Sequence, residues 1–466
     1  MLEFFKINDP FRMIGIFFLL ILLRIPYYLM DIPITQPELL WQLLGERMTA
    51  GNLHFADTID STGPLSALVY GINQLLFENS LLSFSLISFL LILFQIFYTN
   101  ELLIRVNAYE ESNYLPAFIM VILYQLSFDF MTLSPALMGN TFLLLAMGQL
   151  LRLTSVNANT VPAVLLMGFW AGIAFCFHFS YLALLPFFIL TGLLVNGFTF
   201  QQLNLLVTSY LLPFAACAVF YFWQDALSEF FRLYVVLGVK IQALYHVAIK
   251  DLLYIFSLPL LLTLFGYFLN NTMHRMNVNQ QKQNQLLFLY LLFNIATFFL
   301  MERISPYQFV SIFPPIAYFT THLFTISSKR MMQQSMAYGL LLIIPFIGYS
   351  WVFYQKNEPS FERYKVNIDA GRDIPKDSSV MVLDDNLDSY NQAKAASPYL
   401  NFRLTRLYFE GMDERERKVR IYRDLKRESP DLIIDETQVF HLWTKDIPHY
   451  RFLYENEGAG RYRKIR

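Results

Sequence analysis

Long apolar runs recur along this chain as far as Tyr354 and then stop, and that change of pattern limits what it can fold into. Segments 13–30, 81–104, 114–130, 139–153, 161–176, 179–196, 203–223, 252–270, 286–301, 306–325 and 336–354 are each apolar on nearly every face. A helix in hydrocarbon satisfies its backbone polar groups internally and needs about 20 apolar residues to cross. The pattern predicts a polytopic α-helical membrane domain over 1–354, with about eleven transmembrane helices. Composition agrees: 15% of residues are charged, where a soluble chain carries about a quarter. The 46 Phe and 28 Tyr are enough to furnish interfacial aromatic belts. A net charge of −1 offers no basic footprint to nucleic acid, so no nucleic-acid partner is expected. Cys176 and Cys217 lie in apolar runs and suggest neither a disulfide framework nor a metal site. No small-residue cleavage site follows the first apolar run, which reads as a retained span.

More than half of the charged residues follow Tyr354, and there the apolar runs shrink to strand length. Residues 355–466 are predicted to form a separate soluble α/β domain. Its expected elements are strands at 378–384 and 431–436, helices at 387–397 and 413–428, and a hairpin of 449–455 with 460–466 across a glycine-rich turn. Val419, Tyr422 and Leu425 mark the expected apolar stripe of the second helix. Asp384, Asp385 and Asp388 cluster at the exit of the first strand, a common ligand position in α/β sheets. Lys6, Arg12, Arg105, Arg152, His274, Arg275, Lys282, Lys329 and Arg330 all fall on one side of an eleven-span bundle whose N-terminus is cytoplasmic. The expectation is a multi-pass protein of a bacterial inner membrane with its C-terminal domain extracytoplasmic (periplasmic). Segment 64–78 is too short for a comfortable span and is expected to be an interfacial helix.

The segment richest in chemistry is the first large loop, 31–80, with Asp31, Glu38, Glu46, Asp57, Asp60 and Glu78. Carboxylates held against a membrane face are costly unless they have a task or partners. Pro37 suits the first turn of a helix that runs to about Ala50 and closes at Gly51. Glu38 then sits in the first turn, on the same side as Trp41 and Leu44. A carboxylate above an apolar face can serve as a general base; the competing role is that of a helix cap.

The loop resembles the first outer loop of the GT-C superfamily of integral-membrane glycosyltransferases, of the protein O-mannosyltransferase and aminoarabinose transferase type. The matching string is Pro37-Glu38, Trp41, Met48 and Gly51, followed by Gly63-Pro64-Leu65 leading into SALVYGINQLLF, with Phe55, Asp57 and Asp60 between. ERISPYQFVSIFPPIAYF (302–319) is similar to the late span in which family members carry an Arg, then a Tyr and a proline-rich helix. Three positions depart from the family. Pro37 replaces the first acid of an Asp-Glu pair, usually the catalytic base. Thr62 replaces a Lys. The second outer loop, LSPALMGN, offers Asn140 where an Asp is usual, with Asp129 farther back.

The resemblance implies transfer of a sugar from a polyprenyl-phosphate donor to an extracytoplasmic lipid, glycan or protein by inverting displacement. Glu38 is the expected base. Arg303 is expected to hold the lipid phosphate, with Tyr307 beside it, and Asp57 and Asp60 to position the acceptor or a metal. Asp31, Asn140 and His178 complete the candidate substrate-binding set, and Arg24, inside the first span, requires a partner or a cavity. Segment 224–251 is expected to form interfacial helices. The sequence assigns no cofactor and no metal ligands, while the acidic loop leaves a divalent metal open. Expected partners are the lipid-linked donor, membrane lipids and envelope proteins. The alternative is a catalytically inactive GT-C-like scaffold or subunit of an envelope assembly complex. No Walker loop, dinucleotide fingerprint, zinc spacing or nucleophile elbow occurs, and no internal repeat favours a transporter.

Overall fold

The computed structural model describes the chain except residues 1, 31, 33, 79, 156–159, 274–275, 327–329, 356–357, 368, 370–373, 376–377, 446, 459 and 466. It divides into two compact units. The first comprises Met1–Ile32, Leu81–Cys217 and Tyr245–Glu358, and the second Pro33–Ser80, Ala218–Leu244 and Pro359–Arg466. The charge pattern placed a boundary at 354 and grouped 31–80 with the membrane spans. The units instead change at Glu358/Pro359, and 33–80 clusters with the C-terminal segment.

The chain is a helical membrane protein. Among the described residues, six helices are long and apolar enough to cross a bilayer: Arg12–Leu29, Leu81–Arg105, Thr160–Phe177, Phe200–Trp223, Ile249–Thr272 and Arg330–Gln355. Three of the expected spans are composites instead. Segment 114–130 forms a short helix, Leu115–Leu123, and a separate 3-10 turn, Phe128–Met131. Segment 179–196 opens with 3-10 turns at Phe179–Leu184 before its helix Leu185–Leu194. Segment 306–325 opens at Pro306–Ile312 before Phe313–Ile326. Polar residues such as Gln125, Ser127, Asp129 and Gln308, and the prolines near these starts, break the ladders that hydropathy alone would continue. The expected span 139–153 begins at Pro135, behind a Ser134 side chain that caps Leu137 N–H. The first two helices are α1 (Leu2–Lys6) and α2 (Arg12–Leu29). Gly348, in the Arg330–Gln355 helix, touches the Tyr27 hydroxyl and the Gln125 carbonyl so closely that a Cβ there would clash.

In the second unit, 33–80 forms two helices, α3 (Gln36–Thr49) and α4 (Pro64–Phe77). They pack closely. Trp41 and Tyr70 stack with centroids 5.8 Å apart, and a Cβ on Gly45 would meet the Tyr70 carbonyl oxygen at 2.8 Å. At 14 residues, α4 is about 21 Å long, short for a span.

Residues 359–466 contribute a five-stranded mixed sheet of β1 (Ser379–Val382), β2 (Lys394–Ala395), β3 (Leu432–Ile434), β4 (Tyr454–Gly458) and β5 (Arg461–Lys464). The strand order is β2-β1-β3-β5-β4. β1 runs parallel to β2 and β3, with Val380 opposite Leu432, and the β4–β5 hairpin adds antiparallel, with Ile433 opposite Tyr462. Two expectations change here. Residues 387–397 form only a 3-10 turn, Asp388–Asn391, and strand β2. Segment 449–455 is mostly a helix, Pro448–Leu453, with the hairpin starting at Tyr454. The helix Glu414–Glu428 forms as its charges suggested. Its buried face, however, is Ile421, Asp424 and Leu425, while Val419 and Tyr422 are exposed.

Candidate functional site

Each unit holds part of the predicted set. In the second unit Glu38 closes a capping box. Its Oε2 accepts from the Thr35 N–H and hydroxyl, both at 2.9 Å, while Thr35 Oγ1 accepts from the Glu38 N–H at 3.4 Å. Thr-x-x-Glu before an apolar run is a known helix-start pattern, so the carboxylate expected to act as base is engaged in the cap. Asp57 accepts from Leu53 N–H at 2.9 Å and pairs with Arg427. Burial works against its charge, but the Leu53 N–H and the Arg427 guanidinium outweigh it and hold the carboxyl below its ordinary range.

Asp60 is fully buried, and one of its oxygens accepts from Thr62 N–H at 2.9 Å. His54, also fully buried, meets the Thr62 carbonyl through Nε2 at 2.8 Å. Burial pushes the imidazole pKa down, with Asp60 opposing that shift. Asp60 Oδ1 and His54 Nδ1 make no hydrogen bond among the described residues. Between them Phe55 takes φ +68, a conformation rare for a bulky side chain. Its ring is fixed by Tyr221, Phe230 and Tyr234 at centroid distances of 5.4 to 5.8 Å. Asp31 lies outside the described residues.

The strand-exit acids are also engaged. Asp385 pairs with Arg403 at 2.6 Å. Asp388 accepts from the Gln36 side chain at 2.6 Å and from Asn367 N–H at 2.9 Å.

In the first unit most of the remaining candidates, Arg24, Arg303, Tyr307 and His178, fall around one buried carboxylate, Asp129. The 3-10 turn that carries it is clamped by rings: Phe128 stacks on Trp351 at 6.1 Å, and Phe130 meets Phe313 edge to face at 4.8 Å. The Tyr307 N–H donates to Asp129 Oδ2 at 3.2 Å. Arg303, Asp129 and Glu302 all lie within electrostatic reach of the Tyr307 hydroxyl. Arg303 Nε and Glu302 Oε1 are 3.7 Å apart. Arg24 donates to the Phe128 carbonyl at 2.5 Å and lies 4.9 Å from the Tyr27 ring centroid; Tyr27 also feels the charge of Asp129. His178 lies against Gln308, which donates to the Tyr307 hydroxyl at 3.3 Å. Asn140 belongs to a different polar group: it donates to Gln95 at 2.8 Å, and Tyr124 donates to the same oxygen at 2.6 Å.

Arg24, Asp129, Arg303 and Tyr307 thus bring charges of both signs to one region of the helical unit. In the sequence Asp129 stands only farther back from the position of a missing acid, and His54 matches no catalytic pattern. Each carried a visible signal, an ionisable residue within an apolar run for Asp129 and an Asp-rich HFADTID string for His54. Among the described residues no group of three His, Cys, Asp or Glu side chains is placed to hold a metal ion.

No known family model and no curated protein matches the chain.

Proposed function

We propose that the chain is a membrane-embedded glycosyltransferase of GT-C-like organisation that moves a sugar from a polyprenyl-phosphate donor to an extracytoplasmic acceptor, with about eleven spans and an outward C-terminal domain. The observation that carries the reading is the Arg24–Asp129–Arg303 cluster. Buried ionisable side chains in a helical membrane unit are expensive and mark functional sites by default. Guanidiniums suit a lipid phosphate, which they can grip in bidentate fashion. A carboxylate beside them suits general-base work on an acceptor hydroxyl. In this reading Arg303 and Arg24 hold the departing phosphate, Tyr307 positions Asp129 through its backbone, and Asp129 takes the acceptor proton. Glu38 is a cap. Asp57 and Asp60 shape the loop.

A second reading, a catalytically silent scaffold, is favoured by Glu38 and Asp57 both being engaged in structural contacts. The test is a glycan and glycolipid profile of cells carrying Asp129→Asn, Glu38→Gln or a deletion, at matched membrane levels. The enzyme reading expects Asp129→Asn to reproduce the deletion, with donor lipid accumulating, and Glu38→Gln to match wild type. A wild-type profile for Asp129→Asn beside a changed deletion would remove Asp129 from the chemistry. Unchanged glycans in the deletion would leave the scaffold.

A further inference from the structure

A polar pocket and an apolar groove flank α1, both within the first unit. The pocket, of about 200 Å³, is lined by Lys6, Glu110, Glu111, Asn270, Tyr318 and His322 among others. The buried Tyr318 hydroxyl and Asn270 side chain face each other there. Lys6 is held at the pocket by Gln333. Its ammonium donates to Gln333 Oε1 at 2.5 Å, and that amide is oriented by its own bond to the Phe324 carbonyl at 2.8 Å. Glu110 and Glu111 are exposed. The pocket therefore offers a cation, two carboxylates and neutral hydrogen-bonding groups together.

The groove, of about 600 Å³, is lined by Phe4, Phe5, Gly15, Phe18, Leu22 and Ile25 among others. Phe5 and Lys6 are adjacent residues of one short helix. Phe5 is anchored by stacking on Phe118 at 5.0 Å, and Phe4 is held by the Arg12 guanidinium 3.9 Å from its centroid. Apolar on one side and zwitterion-compatible on the other, α1 divides two spaces within a helix diameter of about 10 Å.

We infer that this region binds one zwitterionic aminophospholipid, with its phosphate at Lys6, its primary ammonium at Glu110 and Glu111, and an acyl chain along the α1–α2 groove. The charge set favours this occupant over an anionic lipid, whose headgroup would meet two carboxylates without an ammonium to offset them. A quaternary ammonium has no N–H to donate to those carboxylates. This site is independent of the proposed transferase chemistry.

The test uses the full chain, purified and delipidated in detergent. It is offered phosphatidylethanolamine, phosphatidylcholine or phosphatidylglycerol of identical acyl chains, and retained lipid is counted by native mass spectrometry. Phosphatidylethanolamine should be retained best. Lys6→Ala and Glu110→Gln/Glu111→Gln should each weaken its retention about tenfold, equivalent to about 1.4 kcal/mol. Gly15→Leu should weaken all three lipids, because even a Cβ at Gly15 would meet the Phe4 ring at 2.8 Å. Variants are compared at matched melting temperature without added lipid, and Lys6→Arg should retain the lipid. Equal retention of phosphatidylglycerol, or unchanged phosphatidylethanolamine retention in the charge variants, would overturn the inference.

Discussion

At the scale of single residues, the difference between a carboxylate that caps and one that reacts is testable at Glu38. In a capping box, Gln serves nearly as well as Glu because either side chain accepts from the N-cap N–H. Glu38→Gln should leave the melting temperature close to wild type, while Glu38→Ala should cost about 1 kcal/mol, the usual size of a lost helix cap. A thermal melt of the two variants in one detergent decides it; a large loss for Gln would show that the charge itself matters. His54 gives a pH signature. Its folded pKa lies below the ordinary value of 6.5 because burial disfavours the imidazolium. The unfolded chain therefore takes up a proton before the folded chain does, and stability falls as pH drops below that value. The contribution is fully present at neutral pH and is lost toward the lower folded pKa. The melting temperature should decline as pH falls below about 6.5, and His54→Asn should flatten that decline. Asp57 acts with the same sign at more acidic pH, since its folded pKa is also depressed. The sequence displays Thr35-x-x-Glu38 plainly, but the resemblance of the loop to a glycosyltransferase family casts the same Glu as an active-site acid. Local spacing does not distinguish the two roles; only the Thr35 hydrogen bonds do.

Among the elements, the Glu414–Glu428 helix shows why a charged stretch was half legible. Its helical register was clear from the sequence, and the structure agrees. Of the expected stripe only Leu425 is buried, because an aspartate occupies a core position beside it. Asp424 is 1% exposed and accepts from Arg420 Nε and the Tyr399 hydroxyl, each at 3.0 Å. Burial raises the Asp424 pKa, against the opposing pull of Arg420 and Tyr399. A turn later on the same helix, Glu428 accepts two bonds from Arg47 on α3, at 2.6 and 2.7 Å. The two side chains are only 6% and 9% exposed. Removing Glu428 strands the Arg47 guanidinium, and removing Arg47 leaves Glu428 only its 3.2 Å contact with Arg427 Nε. Arg47→Met or Glu428→Gln should therefore cost about 3–5 kcal/mol, whereas replacing both with apolar residues should cost far less. Denaturant or thermal unfolding of the three variants would expose that non-additivity. Equal, additive losses would mean that the pair is solvated and weak. Hydropathy cannot anticipate such a pair, since its partners stand 381 positions apart.

On the scale of the whole molecule, the membrane character was legible because hydrocarbon constrains every face of a span at once. The second unit was not, because it is assembled from three separated stretches of chain. Composition marked 355–466 as a soluble domain, and its sheet does form there. Yet much of its polar interior is completed by residues of the first loop. Gln36 bonds Asp388, Arg420 donates to the Ala56 carbonyl at 2.5 Å, and Arg47 neutralises Glu428. Ile59 bridges by donating to the Pro398 carbonyl at 2.6 Å and accepting from Asn401 N–H at 3.1 Å. Segment 34–36 adds an antiparallel contact to 364–366 through Gln36 N–H and Val366 N–H, each at 2.8 Å. Deprived of these partners, the isolated C-terminal stretch would leave polar groups unsatisfied beneath its helices, each costing about 1–3 kcal/mol, against a typical domain stability of only about 5–15 kcal/mol. Expressed alone, 359–466 should therefore show poor amide dispersion and no cooperative melt. Joined through a flexible linker to 33–80, it should recover part of both, because the loop supplies the missing donors and acceptors. A dispersed spectrum and sharp melt from 359–466 by itself would show that the sheet and its helices suffice, and that the first loop is an addition to a finished domain.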